Sequence, residues 1–189
     1  IKWVPPILAG LGSPQEMALF DEKWHTTSFV WGNARTRLKD FWTEEVEKKW
    51  GQTQETARQR LISCYNCPMK CGALISVPGI STYMMKCFSK LTYTMAAFSD
   101  LDFGFKIAHR ATENGVDGFS TPQVMAFGLE LYEAGILTDQ DMAGMPSDNE
   151  GRFYWLLDRI VRREGIGDVL ANGTYWAAQQ IGKGAETYA

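Results

Sequence analysis

What this sequence has little of narrows it first. Its 189 residues contain no apolar run near the roughly 20 that a membrane helix needs. The 19 Lys and Arg are outnumbered by 22 Asp and Glu, for a formal net charge of −3. With no cationic excess, a polybasic nucleic-acid surface is excluded. Histidine occurs only as His25 and His109, which confines side chains that ordinarily titrate near neutrality to two positions. Cysteine is scarce at four, and Cys64, Cys67 and Cys71 are crowded together. That spacing is too tight for a disulfide framework and too regular for scattered core thiols, so it points to a metal site in a reducing compartment. Low-complexity tracts and repeats of fixed period are also missing. The Ile1-Lys2-Trp3 start shows neither an initiator Met nor a signal-peptide pattern, and the chain is expected to be a soluble, cytoplasmic piece of something longer.

What is present is enough apolar mass for a core, at 45% hydrophobic and 13% aromatic. Helix signals dominate. Ser13-Pro14-Gln15-Glu16 combines an N-cap, an N1 proline and an N3 glutamate, which predicts a helix from Pro14 to about Trp24. Thr43-Glu44-Glu45 opens a second, ending at Gly51. A third is bounded by Ser99 and Gly115, and a fourth runs from Thr121-Pro122 to Gly135. In the fifth, Phe153, Leu156, Leu157, Ile160 and Val161 recur at i, i+3, i+4, i+7 and i+8. Asp168 to Ile181 reads as a sixth. Only Ala73 to Val77 and Phe29 to Trp31 look strand-like, while Pro78-Gly79 marks a turn. The expected fold is a mostly α domain with minor β, one unit spanning residues 1–189.

Cys64-Tyr65-Asn66-Cys67-Pro68-Met69-Lys70-Cys71 is a C-x2-C-x3-C loop. An iron–sulfur cubane needs thiolates converging from several directions, and a short loop bent by Pro68 and Gly72 can deliver three. A zinc knuckle is the competing reading, although zinc sites usually pair two C-x2-C units and no second pair exists; unrelated thiols are the third. Cys87 follows in Met84-Met85-Lys86-Cys87-Phe88. Spacing does not separate a fourth cluster ligand, a buried inert thiol and a soft ligand to a second metal.

This cysteine motif, with Glu113-Asn114-Gly115-Val116-Asp117-Gly118-Phe119-Ser120-Thr121, Leu129 to Thr138 and Arg163 to Gly173 following in order, resembles the aldehyde ferredoxin oxidoreductase family. The resemblance implies the helical middle domain of a longer subunit, with an N-terminal pterin-binding β domain and a C-terminal helical domain outside this sequence. It implies a tungsten bis-pterin and a [4Fe–4S] cluster, with Cys64, Cys67 and Cys71 as three iron ligands and the fourth in a later motif beyond Ala189. Cys87 is thereby released from the cluster. The family's pterin-contacting D-x-x-G-L-D motif is matched by Thr112 to Asp117, which makes Gly115, Val116 and Asp117 cofactor-binding candidates, with Thr112 in place of the leading Asp.

Where aldehyde oxidoreductases carry a glutamate near tungsten, Lys86 to Tyr93 has no acid. A thiolate there is a natural soft ligand for tungsten, whereas the carboxylate it replaces would serve proton transfer. With the aromatic-rich segment Trp24 to Trp31, this is similar to the tungsten subunits of the ATP-independent class II benzoyl-coenzyme A reductases. The resemblance implies a tungsten-dependent oxidoreductase reducing an aromatic acyl-coenzyme A to a cyclic dienoyl thioester. Electrons would come from an iron–sulfur subunit or ferredoxin within a hetero-oligomer. Two rival readings are an aldehyde oxidoreductase producing carboxylates and a non-enzymatic four-cysteine metal module.

The remaining candidates have ordinary alternatives. His25 follows the first predicted helix, either as a cap on its dipole or as a proton donor to substrate. Glu16 is the N3 residue of a capping box or an acid partner of His25. His109, beside Arg110 in the third helix, reads as a surface or satisfied helix residue. Arg35, Arg37 and Lys39 read as a solvated face rather than a coenzyme A phosphate contact.

Overall fold

The computed structural model describes residues 43–66, 72–86, 93, 96–97 and 99–189. Helix α1, Glu44–Ala57, starts where the Val46 amide donates to the Thr43 hydroxyl at 3.3 Å, which satisfies one of the N–H groups a helix start leaves open. The sequence signals an end at Gly51, yet the helix continues to Ala57. A helical glycine with nothing near it costs only about 1 kcal/mol, and Ala57, 2% exposed, packs against the sheet.

The chain then enters β1, Arg58–Ile62, which pairs antiparallel with β2, Gly72–Ile75. A turn through Pro78-Gly79 leads to β3, Tyr83–Lys86, antiparallel to β2 on its other side, so the order is β1-β2-β3. Neither β1 nor β3 is announced by the sequence. Arg58-Gln59-Arg60-Leu61-Ile62 is too polar, and Tyr83-Met84-Met85-Lys86 too short, and both become strands by pairing with β2. One face of the hairpin is buried: Ala73 opposes Met85 and Ile75 opposes Tyr83, all four inside one apolar cluster, as the two-residue period of a strand requires.

Helix α2, Leu101–Glu113, joins that sheet to the rest of the fold. Its N-cap is Asp100, whose carboxylate accepts the Phe103 amide at 2.9 Å, one residue after the Ser99 boundary the sequence suggests. Leu101 and Phe105 pack against the sheet cluster, while Phe103, Ile107 and Ala111 belong to the helical core. Positions 101 and 105 lie on one side of a 3.6-residue helix and 103, 107 and 111 on the other. α2 is therefore buried on both sides.

Beyond it come α3, Ser120–Glu133, and α4, Asn149–Arg162. In α4 the buried stripe Phe153, Leu156, Leu157 and Ile160 is the one the spacing indicates. The predicted sixth helix is two, α5, Ile166–Leu170, and α6, Thr174–Ile181. Gly173, at φ +90°, is in a conformation that cannot continue an α-helix. The result is a mostly α architecture with one small sheet. The expected helix from Pro14 to Trp24 and strand from Phe29 to Trp31 lie outside the described residues.

Candidate functional site

The strand register brings to one end of the sheet the described residues from which the chain leads to Cys64, Cys71 and Cys87. Ile62 pairs with Gly72, and Gly72 with Lys86, so the three form a row across the strands. Cys64 lies two residues beyond Ile62, Cys71 is bonded to Gly72 and Cys87 to Lys86. Cys64 itself is exposed, and Asn66 two residues on turns the chain with φ +54°, a left-handed conformation asparagine tolerates. Cys67, Cys71 and Cys87 lie outside the described residues. Among the described residues, no three His, Cys, Asp or Glu gather as a metal site.

The second candidate segment follows α2. Gly115, at φ +68°, closes the helix: its amide donates to Thr112 O at 3.1 Å, and the Val116 amide to Ala111 O at 3.1 Å. Asp117 then shapes the entry to α3. Its Oδ2 accepts the Phe119 amide at 2.9 Å, the Ser120 amide at 2.5 Å and the Ser120 hydroxyl at 2.6 Å. Partial burial opposes ionisation, but these hydrogen bonds outweigh it and hold the carboxyl below its ordinary value. Asn114, Val116, Asp117, Ser120 and Thr121 line one side of a cleft of about 480 Å³. Thr112, standing where the motif has its leading Asp, donates its hydroxyl to Ala108 O at 2.8 Å and so turns back onto its own helix.

His109 is 7% exposed. Its Nε2 is 2.9 Å from Ser81 Oγ, its Nδ1 is 3.4 Å from Glu113 Oε2, and its ring meets Tyr83 edge-on at 4.9 Å. Tyr83 in turn donates its hydroxyl to Phe105 O at 3.0 Å. These contacts fasten the start of β3 to α2. Neighbouring charges are paired as well: Arg110 Nη2 reaches both oxygens of Asp158 at 2.7 Å, and Lys106 bonds Asp102. His109 is thus a satisfied helix histidine.

Tyr93 is a residue that sequence reasoning passed over. It is completely buried, and among the described residues it carries the buried side-chain polar atom left without a hydrogen-bond partner, its hydroxyl. The available signal was its place at the end of the acid-free stretch Lys86 to Tyr93. His25 and Glu16, with Arg35, Arg37 and Lys39, lie outside the described residues.

Comparison with known proteins adds the following. Residues 4–189 match the sequence profile of "Aldehyde ferredoxin oxidoreductase, domains 2 & 3". Over 154 residues, 77% of this chain and 26% of the relative, the chain is 30% identical to a tungsten-containing aldehyde ferredoxin oxidoreductase of Pyrococcus furiosus. It is 34% identical over 125 residues, 62% of this chain and 20% of the relative, to the WOR-like subunit of an aliphatic sulfonate oxidoreductase of the same organism. Among solved structures, a chain of the active-site complex BamBC of benzoyl-coenzyme A reductase with 1,5-dienoyl-CoA is 71% identical, with a TM-score of 0.83. That match covers 100% of this chain and 29% of the solved one. The chain therefore spans about a quarter of the length of these relatives.

Proposed function

The chain belongs to the aldehyde ferredoxin oxidoreductase family, and from that premise we propose that it carries metal ligands of a tungsten- and iron–sulfur-dependent reductase acting on an aromatic acyl-coenzyme A. The carrying observation is the row Ile62–Gly72–Lys86, from which a three-thiolate loop and a separate thiolate both extend. Their chemistry fits two redox groups: Cys64, Cys67 and Cys71 suit a [4Fe–4S] cluster, and Cys87 supplies one soft ligand to tungsten. The cleft beside Asp117 suits a pterin, being mixed apolar and polar, although Thr112 contributes nothing to it. When bound, a [4Fe–4S] cluster and a tungsten bis-pterin would supply low-potential electrons.

This chain's own residues bind, orient and protonate. His25 donates a proton to the ring as electrons enter, and Glu16 orients His25. Adding two electrons and two protons converts benzoyl-CoA to the dienoyl thioester, the ligand of the 71% identical neighbour. Identity of 71% to that neighbour, against 30% to the aldehyde enzyme, favours the reductase over aldehyde oxidation. Among the described residues no helix is long and apolar enough to cross a membrane, and labile cluster thiolates suit a reducing cytoplasm. An iron–sulfur subunit in a hetero-oligomer completes the reading. The test is to supply the full-length subunit and its partner with benzoyl-CoA and a low-potential donor in one assay, and with benzaldehyde and an electron acceptor in the other. Dienoyl-CoA without benzoate is expected; benzoate formation from the aldehyde alone would establish the aldehyde oxidoreductase instead.

A further inference from the structure

Large aromatic side chains are costly to leave in water, and adjacent ones on a surface commonly mark a place where something else packs. On α6, Tyr175 is 62% exposed and Trp176 65% exposed, and their rings meet edge-on at 5.1 Å. Ala177 and Ala178, on the other side of the helix, are buried in the main core, so α6 is held with its aromatic side outward. Asn172, Trp176, Gln179 and Gln180 line an open cleft of about 580 Å³ on that side. In a chain of which 22% is charged, no charged residue stands between Asp168 and Lys183. An exposed face of aromatics and amides without charge has the composition of an interface core rather than of a solvated surface.

The missing charge also bears on the occupant. Separate partners are steered together by complementary charge, whereas a neighbour on the same polypeptide is delivered by its tether. The 71% identical solved chain is much longer than this one, which covers 29% of it, and the matched profile spans two domains, numbered 2 and 3. The residues after α6 fold back beside it: the Ala185 amide donates to Gly182 O at 2.9 Å, and Ala185 and Tyr188 join the core that holds Ala177 and Ala178. Chain continuing past Ala189 therefore starts close to the aromatic face.

We propose that the Tyr175–Trp176 face of α6 is an intramolecular docking surface, covered in the full-length subunit by the part of the same polypeptide that follows Ala189. Such packing is independent of the reaction the subunit catalyses. Hydroxyl-radical oxidation, read residue by residue by mass spectrometry and corrected for side-chain type, tests it on the purified full-length subunit at high and low concentration and on the complex with its partner subunit. In the subunit alone, at either concentration, Tyr175 and Trp176 should be as protected as Tyr93, which is 0% exposed. Protection that appears only with the partner subunit, or only at high concentration, assigns the face to that partner or to a second copy and overturns the proposal. Full reactivity in every sample also overturns it. A photo-crosslinking variant of the full-length subunit, Gln180→p-benzoylphenylalanine, then identifies the covering segment. Cross-links within the same polypeptide to residues after Ala189 are expected, and cross-links to residues preceding Ile1 or to another chain overturn the proposal equally.

Discussion

Gly72 and Lys86 face each other as the terminal pair of the β2–β3 ladder. Through them the cysteine that ends the C-x2-C-x3-C loop and the cysteine that follows β3 start from adjacent points. The other end of the same hairpin is fastened to α2, by Ser81 to His109 and by Tyr83 to the Phe105 carbonyl. If the cysteines bind the two groups proposed, a short hairpin gripped at its turn would position those groups relative to each other with few degrees of freedom.

His109 serves that grip. His109→Ala removes the partner of Ser81 and of Glu113 and should destabilise the subunit by about 1–3 kcal/mol, seen as a lower midpoint in calorimetry. Turnover per folded, metal-loaded molecule should stay close to wild type. Lost turnover at unchanged stability would make His109 a participant in the chemistry.

Asp117 gives a pH dependence of defined sign. Its folded-state carboxyl is held below the ordinary value, so its contribution is complete above the unfolded carboxyl's range and is lost as pH falls through the lower folded-state value. Asp117→Ala should cost about 1 kcal/mol at neutral pH, and the gap to wild type should close in acid. Chemical denaturation at neutral and acid pH tests this; an equal gap at both means that the carboxylate charge is not what orders the turn into α3.

Two glycines in helices should respond oppositely to a methyl group. A Cβ on Gly167 would stand 2.2 Å from the backbone carbonyl carbon of Arg159, so Gly167→Ala must force α4 and α5 apart at a cost of about 1–3 kcal/mol or more. Gly51 has nothing within 4 Å and lies within α1, so Gly51→Ala should stabilise by about 0.5–1 kcal/mol. Thermal midpoints of the two variants check the pair.

The parts of this fold that the sequence announces are those whose physics is local. The stripe Phe153, Leu156, Leu157 and Ile160 states its own helix because burial follows a 3.6-residue period. The division at Gly173 was hidden because both flanking segments are helical and the break lies in one backbone angle. β1 was hidden because Arg58, Gln59 and Arg60 become a strand only through pairing with Leu74 and Ile75. The candidate site divides in the same way. Thiolate spacing is written locally and pointed to metal, but the row Ile62–Gly72–Lys86 is a register between distant segments. The unpartnered hydroxyl of Tyr93 exists only once a core closes around it.

The proposed function gives proton delivery to His25, with Glu16 as its orienting partner. A general acid in this role contributes about 10²- to 10⁴-fold. His25→Ala in the full-length enzyme should therefore cut turnover at least ~100-fold with iron, tungsten and substrate affinity near wild type. Normal turnover would leave His25 only a helix-cap role.

The central claim is that one sheet end carries ligands of two different redox groups, and metal analysis of cysteine variants in the full-length subunit tests it most directly. Cys64→Ala, Cys67→Ala and Cys71→Ala should each lose iron and bleach the visible cluster absorption, because a cubane deprived of a thiolate becomes labile. Cys87→Ala should keep its iron while its tungsten absorption-edge spectrum changes and turnover is abolished. Equal iron loss in all four variants, with the tungsten spectrum of Cys87→Ala unchanged, would contradict the account and place all four thiolates on a single cluster.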